Sequence, residues 1–329
     1  MMALLTTGQA LNAALDLALE IDDSVFLAGE GVGISIHADP NMPTYGLLEK
    51  YGSQRVKDTP VSEAAIAGLA VGASALGLLP VVEIMFFPFI TLASDMLVNH
   101  AAKLRYLSGG KSAFPLTLRV RAGVNFSAGC QHSHNLEAWL AHSPGLKVVF
   151  PSTPGDAKGL LLSAIFDPNP TVVIEEMGLY WMNGDVPDGD YRVLIGKAVV
   201  TLPGTDCTVV SYGGAVYTAL EAAKVLSAEG ISIEVVDLRS LVPLDKPLLL
   251  ESVRKTGRLV VLHDATKFGG FGAEIASTVA EEAFDALKAP IRRVAAPDIP
   301  VPVSPPLEKF YRPGPEAVVE AVRASVKKG

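Results

Sequence analysis

The chain has 329 residues, 49% hydrophobic and 19% charged, which supplies a large core at a length that favours two domains. A net charge of -8, without a basic cluster interleaved with aromatics, excludes a nucleic-acid-binding surface. Two distant cysteines, Cys130 and Cys207, make neither a disulfide framework nor a zinc spacing, and the opening Met-Met-Ala-Leu-Leu-Thr-Thr carries no basic leader, so a cytoplasmic location is expected.

Thr7 to Ile21 reads as a helix capped by Thr7, and Ser24 to Gly29 as a strand ending at Glu30. Ala64 to Val82 is uncharged and long enough for a membrane span, yet it is rich in Gly and Ala and broken by Pro80. A packed helix leading into a buried strand is therefore expected, with no membrane association. Gly68 and Gly72 would admit a close helix neighbour in a tight core or a subunit interface. Pro80 to Met85 reads as a strand and Thr91 to Tyr106 as a helix. Strands follow at Leu116 to Val120 and Lys147 to Phe150, then a helix at Asp156 to Ile165 and a strand at Thr171 to Glu175.

Trp181 to Arg192 has turn residues and no apolar periodicity, and reads as the interdomain connection. A second alternating set begins after it. Strands are expected at Cys207 to Ser211, Ser232 to Val236 and Arg258 to His263. Helices are expected within Ala215 to Gly230 and at Leu248 to Thr256, Gly272 to Leu287 and Pro315 to Lys327, with an extended tail over Ala296 to Pro302. Such alternation of short apolar runs and helices predicts an α/β protein whose parallel strands are buried on both faces. The boundaries are placed at 1–180 and 197–329, with 181–196 as linker.

Parallel sheets present ligands at the carboxyl ends of their strands, and Glu30 and Glu63 are candidates for that edge. Glu63 ends the polar run Arg55 to Ser62 and precedes small apolar residues. A carboxylate there serves either as a helix cap or as a desolvated group with a raised pKa that exchanges a proton near neutrality. Phe86, Phe87 and Phe89 follow a strand. One of them can pack on a flat heterocycle, with core packing expected for at least two. His132 and His134 lie in a polar loop, where acid–base work or anion binding is favoured over metal. Gly270 and Gly272 lack the third glycine and the distant acid of a dinucleotide fingerprint, so they are read as turn glycines.

Several blocks, in order, resemble beta subunits of the thiamine-diphosphate-dependent 2-oxo acid dehydrogenases. They are Asp58-Thr59-Pro60-x-x-Glu63, Ala101-Ala102-Lys103-x-Arg105-Tyr106, Gln131-His132-Ser133, Pro144-Gly145-Leu146-Lys147-Val148-Val149, Asp156-Ala157-Lys158-Gly159-Leu160-Leu161, Asp237-Leu238-Arg239-Ser240-Leu241 and Gly270-x-Gly272-Ala273-Glu274-Ile275. The resemblance implies a transketolase-like pyrimidine-binding domain with a parallel sheet and a transketolase-type C-terminal α/β domain. It implies that Glu63 hydrogen-bonds the cofactor's aminopyrimidine, that Glu30 lies near the same site, and that Phe89 packs beside that ring. By the same resemblance His132 assists acyl transfer to a lipoyl group. The backbone of Ala164, Asp167 and Asn169 would hold potassium.

The chain has no Gly-Asp-Gly followed by a distant Asn, the element that holds magnesium and diphosphate in this cofactor class. The resemblance places that element on an alpha subunit. It thus implies a shared thiamine diphosphate site, magnesium held by the partner, an alpha2-beta2 heterotetramer, a small 2-oxo acid substrate and a lipoyl-bearing dihydrolipoyl acyltransferase. Three departures stand out. The segment 31–44 is longer than usual and lacks an arginine, His134 replaces a common glutamine, and His263-Asp264 replaces a simpler acidic position. Two alternatives are half of a split transketolase-like carboligase and a noncatalytic assembly subunit.

Overall fold

The computed structural model describes residues 2–33, 39–124 and 127–326, so part of the unusual 31–44 segment lies outside the described residues. The chain divides into two compact units. One comprises Met1–Ala122 and Trp139–Ile195, the other Gly123–Ala138 and Gly196–Gly329.

The first unit contains β1 (Met2–Thr6), α1 (Thr7–Ile21), β2 (Val25–Gly29), α2 (Leu47–Tyr51), β3 (Val56–Asp58), α3 (Glu63–Ala75) and β4 (Leu79–Ile84). After α4 (Ala102–Leu107) comes β5 (Leu116–Ala122). The chain leaves for the second unit and returns for β6 (Lys147–Val149), α7 (Pro154–Ile165), β7 (Pro170–Glu176) and β8 (Asn183–Pro187). The strands of the main sheet run parallel in the order β6-β7-β5-β4-β2-β3. Helices α1 and α7 pack on each other above it, while α3 lies against β4 and β5. The core joins Leu11, Leu15 and Leu19 of α1 with Leu160, Leu161 and Ile165 of α7 and with Leu27, Val81 and Val173 of the strands.

The cap of α1 is Thr6, one residue before the expected Thr7. Its hydroxyl accepts the Gln9 N–H while the Gln9 side chain accepts the Thr6 N–H, a reciprocal capping box. At the other end of α1, Arg55 donates to the carbonyls of Leu19 at 3.0 Å and Asp22 at 2.9 Å, which satisfies terminal acceptors.

The helix expected over Thr91 to Tyr106 is three winding types in series. Phe87–Ala93 is 3-10, Asp95–Ala101 is π-helical and Ala102–Leu107 is α. Apolar periodicity over such short runs does not separate i→i+3, i→i+4 and i→i+5 bonding. Gly145, in the Pro144-Gly145-Leu146 block, has φ +105°, and a Cβ there would lie 1.9 Å from the Ala102 carbonyl oxygen, so only glycine fits. The segment read as a connection contains β8, which pairs antiparallel with β1. A two-stranded ribbon held by backbone bonds needs no apolar periodicity, which is why the pattern did not disclose it.

In the second unit, α5 (Cys130–Ser133) and the start of α6 (Glu137–Ala141) lie on the inserted stretch 123–138. The remainder is β9 (Val199–Leu202), β10 (Cys207–Ser211), α8 (Ala215–Ala228), β11 (Ile233–Asp237), the short β12 (Ser240–Val242), α9 (Lys246–Thr256), β13 (Leu259–Thr266) and α10 (Gly272–Glu282). Then come β14 (Arg292–Ala296), α11 (Pro305–Tyr311) and α12 (Pro315–Val326). The sheet order is β14-β13-β10-β11-β9, parallel except for β9. Helix α10 ends at Glu282, short of the expected Leu287, and β14 begins within a sequence that gave no strand signal. As an edge strand carrying Arg292 and Arg293, β14 stays half-exposed and lacks the apolar run of its neighbours.

The uncharged stretch after Glu63 forms α3, whose inner face buries Ile66, Ala67 and Ala70. Leu69 and Leu76 on its outer side are exposed, and nothing among the described residues lies within 4 Å of a Cβ placed on Gly72. No helix among the described residues is long and apolar enough to cross a membrane.

Candidate active site

The strand order of the first unit reverses at β2, which has β3 on one side and β4 on the other. Loops leaving β2 and β4 therefore diverge at the carboxyl edge, where open α/β sheets bind ligands. Glu30 is the first residue after β2, and Glu63 is the first residue of α3, which follows β3. Both side chains are buried. Glu63 is thus a first-turn residue at the positive end of the helix dipole, with Ser62 in the cap position.

Burial, then the charges of Glu63 and Glu83, push the Glu30 pKa above its ordinary value, and Arg121 opposes the rise. The site therefore brings Glu30 and Glu63 within electrostatic reach of each other. Glu30 Oε1 is buried and has no hydrogen-bond partner among the described residues. A buried carboxyl oxygen without a partner is costly unless a ligand completes it.

Of the three phenylalanines only Phe87 enters the core, against the expectation that at least two would. Phe86 and Phe89 are three residues apart at the start of a 3-10 turn, share a face, and stay half-buried with ring centroids 6.3 Å apart and planes at 81°. Two buried carboxyls, one with an open oxygen, can pair with a ring nitrogen and an amino group of a heterocycle.

Glu30 supplies a first test. Its folded pKa lies above its unfolded value, so the folded state holds the extra proton and loses stability as pH rises from about 4.5 through the folded value. Glu30→Gln should flatten that decline in a series of denaturant midpoints across the window. Parallel wild-type and variant profiles would show that Glu30 does not titrate in this way.

A buried ion network lies beneath the carboxylates, and motif reading did not find it. Arg119 and Arg121 are two apart on β5 and share a face. Arg119 donates to both oxygens of Glu175 at 2.6 and 2.8 Å and to Glu83 Oε2 at 2.7 Å. Arg121 donates to Glu83 Oε1 through Nε at 3.2 Å and also through Nη2. The Tyr180 hydroxyl donates to Glu175 at 2.6 Å. Burial alone would lower the Arg119 pKa, but the charges of Glu175 and Glu83 outweigh it and raise the value. The available signal was the charged residues inside apolar strand runs, at Val81-Val82-Glu83 and Leu118-Arg119-Val120-Arg121.

Ala164, Asp167 and Asn169 share the turn after α7. The Ala164 carbonyl accepts the Asp167 N–H at 3.2 Å. The Asp167 carboxylate pairs with Lys147 and accepts both the N–H and side-chain amide of Asn169, at 2.9 and 2.8 Å.

His132 belongs to the second unit, on α5 within the stretch 123–138. Burial lowers the pKa of its neighbour His134. Gly270 and Gly272 have a packing reason: a Cβ on either would come within 2.8 or 2.6 Å of the buried His263 ring. The glycine pair serves close approach to a histidine.

Residues 4–181 match the transketolase pyrimidine binding domain and residues 196–318 the transketolase C-terminal domain. The beta subunit of acetoin:2,6-dichlorophenolindophenol oxidoreductase from Cupriavidus necator is 44% identical over 328 residues, covering 97% of both chains. The pyruvate dehydrogenase E1 component subunit beta of Rhizobium meliloti is 43% identical over 98% of this chain and 70% of its own. The 2-oxoisovalerate dehydrogenase subunit beta of Bacillus subtilis is 41% identical, covering 98% of both. A split-gene transketolase described as an inactive beta4 tetramer shares the fold, with a TM-score of 0.80 at 24% identity over 98% of both chains. Two transketolase-type domains, joined at this level of identity over nearly the whole chain, place the protein in the family of E1-type beta subunits of the pyruvate, acetoin and 2-oxoisovalerate dehydrogenases.

Proposed function

We propose that this chain is the beta half of a thiamine-diphosphate-dependent 2-oxo acid or acetoin dehydrogenase, active with an alpha subunit in an alpha2-beta2 heterotetramer. The observation that carries the reading is the pair of buried carboxyls at the strand-order reversal, Glu30 with one open oxygen and Glu63 beside it. Bound thiamine diphosphate supplies the carbon nucleophile and electron sink for loss of carbon dioxide from the substrate. Glu63 holds the cofactor's aminopyrimidine through a ring nitrogen and moves a proton there. Glu30, its pKa raised chiefly by burial, steadies the same ring. Phe89 packs beside the heterocycle and excludes water. His132 assists acyl transfer to the lipoyl group of a dihydrolipoyl acyltransferase.

In this reading residues 1–180 form the pyrimidine-binding domain, 197–329 the C-terminal domain and 181–196 the link. The two compact units change over between Ile195 and Gly196, with 181–195 kept in the first and 123–138 contributed to the second. Magnesium and the diphosphate belong to the alpha partner, since this chain lacks the Gly-Asp-Gly element. Potassium falls on the main-chain oxygens of the 164–169 turn. A reducing, cytoplasmic setting suits two cysteines that stay free, one buried and one exposed.

Affinity purification from the native extract should recover a second chain bearing Gly-Asp-Gly and a distant Asn. The pair should release carbon dioxide from a 2-oxo acid, or cleave acetoin. A stoichiometric homodimer alone would overturn the two-chain reading, and ketol transfer between sugars would favour the carboligase.

A further inference from the structure

Thr59 stands between β3 and Glu63, in the turn that joins this strand to α3. Leu27, Ala28 and Gly29 of β2 pair with Val56, Lys57 and Asp58 of β3. The ladder runs one bond further, where the Thr59 N–H donates to the Gly29 carbonyl at 3.0 Å. Thr59 therefore lies beside the peptide that links Gly29 to Glu30. A second tie comes from the residue before it: the Asp58 carboxylate accepts the Gly33 N–H at 2.8 Å. Asp58 and Thr59 together bracket the turn that carries Glu30.

The conformation of Thr59 is narrowly set. A residue that precedes proline, here Pro60, is confined to extended backbone, and a β-branched side chain has few χ1 choices. Its hydroxyl oxygen is buried and, like Glu30 Oε1, has no hydrogen-bond partner among the described residues. A hydroxyl can donate one hydrogen bond and accept two. Left without a partner it costs stability, so threonine at this position works against the ligand-free fold. Valine has the same branching and stiffness and would leave no unpaired polar atom.

We propose that Thr59 is a further ligand-binding residue of this site: its hydroxyl pairs with a polar atom of the nitrogen heterocycle held by Glu30 and Glu63. The inference rests on the reading of the site as one for an aminopyrimidine. Thr59 then gives up stability in the ligand-free protein for a hydrogen bond gained on binding, in a side chain with little rotamer freedom left to lose. A hydroxyl that already had its partner within the chain would give the opposite sign, since removing it would destabilise the ligand-free protein.

The test uses the chain assembled with its alpha partner and freed of cofactor. The denaturant midpoint of Thr59→Val should lie at or above that of wild type. Its dissociation constant for thiamine diphosphate, titrated calorimetrically in the presence of magnesium, should rise by ~3–10-fold, the usual worth of one hydrogen bond. At one fixed cofactor concentration the midpoint should therefore rise less in Thr59→Val than in wild type. Thr59→Ser keeps the hydroxyl and should restore most of the affinity.

Wild-type affinity in Thr59→Val would overturn the proposal. So would a cofactor-free Thr59→Val that is less stable than wild type or fails to assemble, because the hydroxyl would then serve the fold. An equal loss of affinity in Thr59→Ser would assign the contact to the methyl group and overturn it as well. Failure of the wild-type complex to bind thiamine diphosphate would overturn the aminopyrimidine reading and this contact with it, whereas a cofactor-binding wild type with an unaffected Thr59→Val removes the role of Thr59 alone.

Discussion

Glu63→Gln should lower turnover of the reconstituted enzyme by ~10²–10⁴-fold, the usual worth of a positioned proton-transfer group. Glutamine keeps the volume and a hydrogen-bonding oxygen, so the side chain still fits the buried start of α3. What it loses is the exchangeable acid proton. Folding should change little, because the charge at the first turn interacts with the helix dipole for only about 0.3–1 kcal/mol. The substitution has a second signature. The Glu63 charge helps to raise the Glu30 pKa, so removing it should bring that pKa down and shift the pH dependence of stability. Rate loss with intact thermal unfolding and a shifted Glu30 titration would support the catalytic reading. Unchanged turnover would instead make this a noncatalytic assembly subunit.

The largest effect on stability should come from Arg119→Met. The guanidinium is 2% exposed and binds Glu83 and Glu175 together, so its loss leaves two buried carboxylates short of a countercharge. Removing one partner of a buried pair costs about 3–5 kcal/mol, chiefly through the stranded charge. Glu83 would still have Arg121, whereas among the described residues Glu175 would keep only the Tyr180 hydroxyl. The double variant Arg119→Met with Glu175→Gln should therefore recover part of the loss. Denaturant unfolding of the single and double variants measures this directly. A single variant within about 0.5 kcal/mol of wild type, the range of ordinary surface substitutions, would show that the network is not the stabilising element its geometry indicates.

The two carboxylates the sequence nominated do meet at one edge, because Glu30 ends a buried apolar run and Glu63 opens the next helix. The route was weaker for the aromatics. Three phenylalanines after β4 are equivalent in a linear reading, and the 3-10 turn alone turns Phe86 and Phe89 together and sends Phe87 inward. Glu137 gave no motif at all. Its pKa is raised by burial and then by Asp264, against the hydrogen bond from Tyr212 some 75 positions away, and no local pattern encodes that meeting.

Alternating short apolar runs and helical periods made the α/β class legible, since strand and helix burial impose periods of two and 3.6 on neighbouring residues. The blocks around Glu63, His132 and Lys147 likewise sufficed to indicate the family, and Glu30 and Glu63 as candidates follow from their place at element ends. Which strands become neighbours is a non-local choice, and it decided the rest. Only the order β7-β5-β4-β2 sets Glu175, Arg119 and Glu83 on adjoining strands with Glu30 just past the end of the next, where low dielectric makes their charges interact. Only tertiary packing takes the 123–138 stretch out of the first unit and ties Glu137 to the second sheet, because that bond is made by residues far apart in the chain.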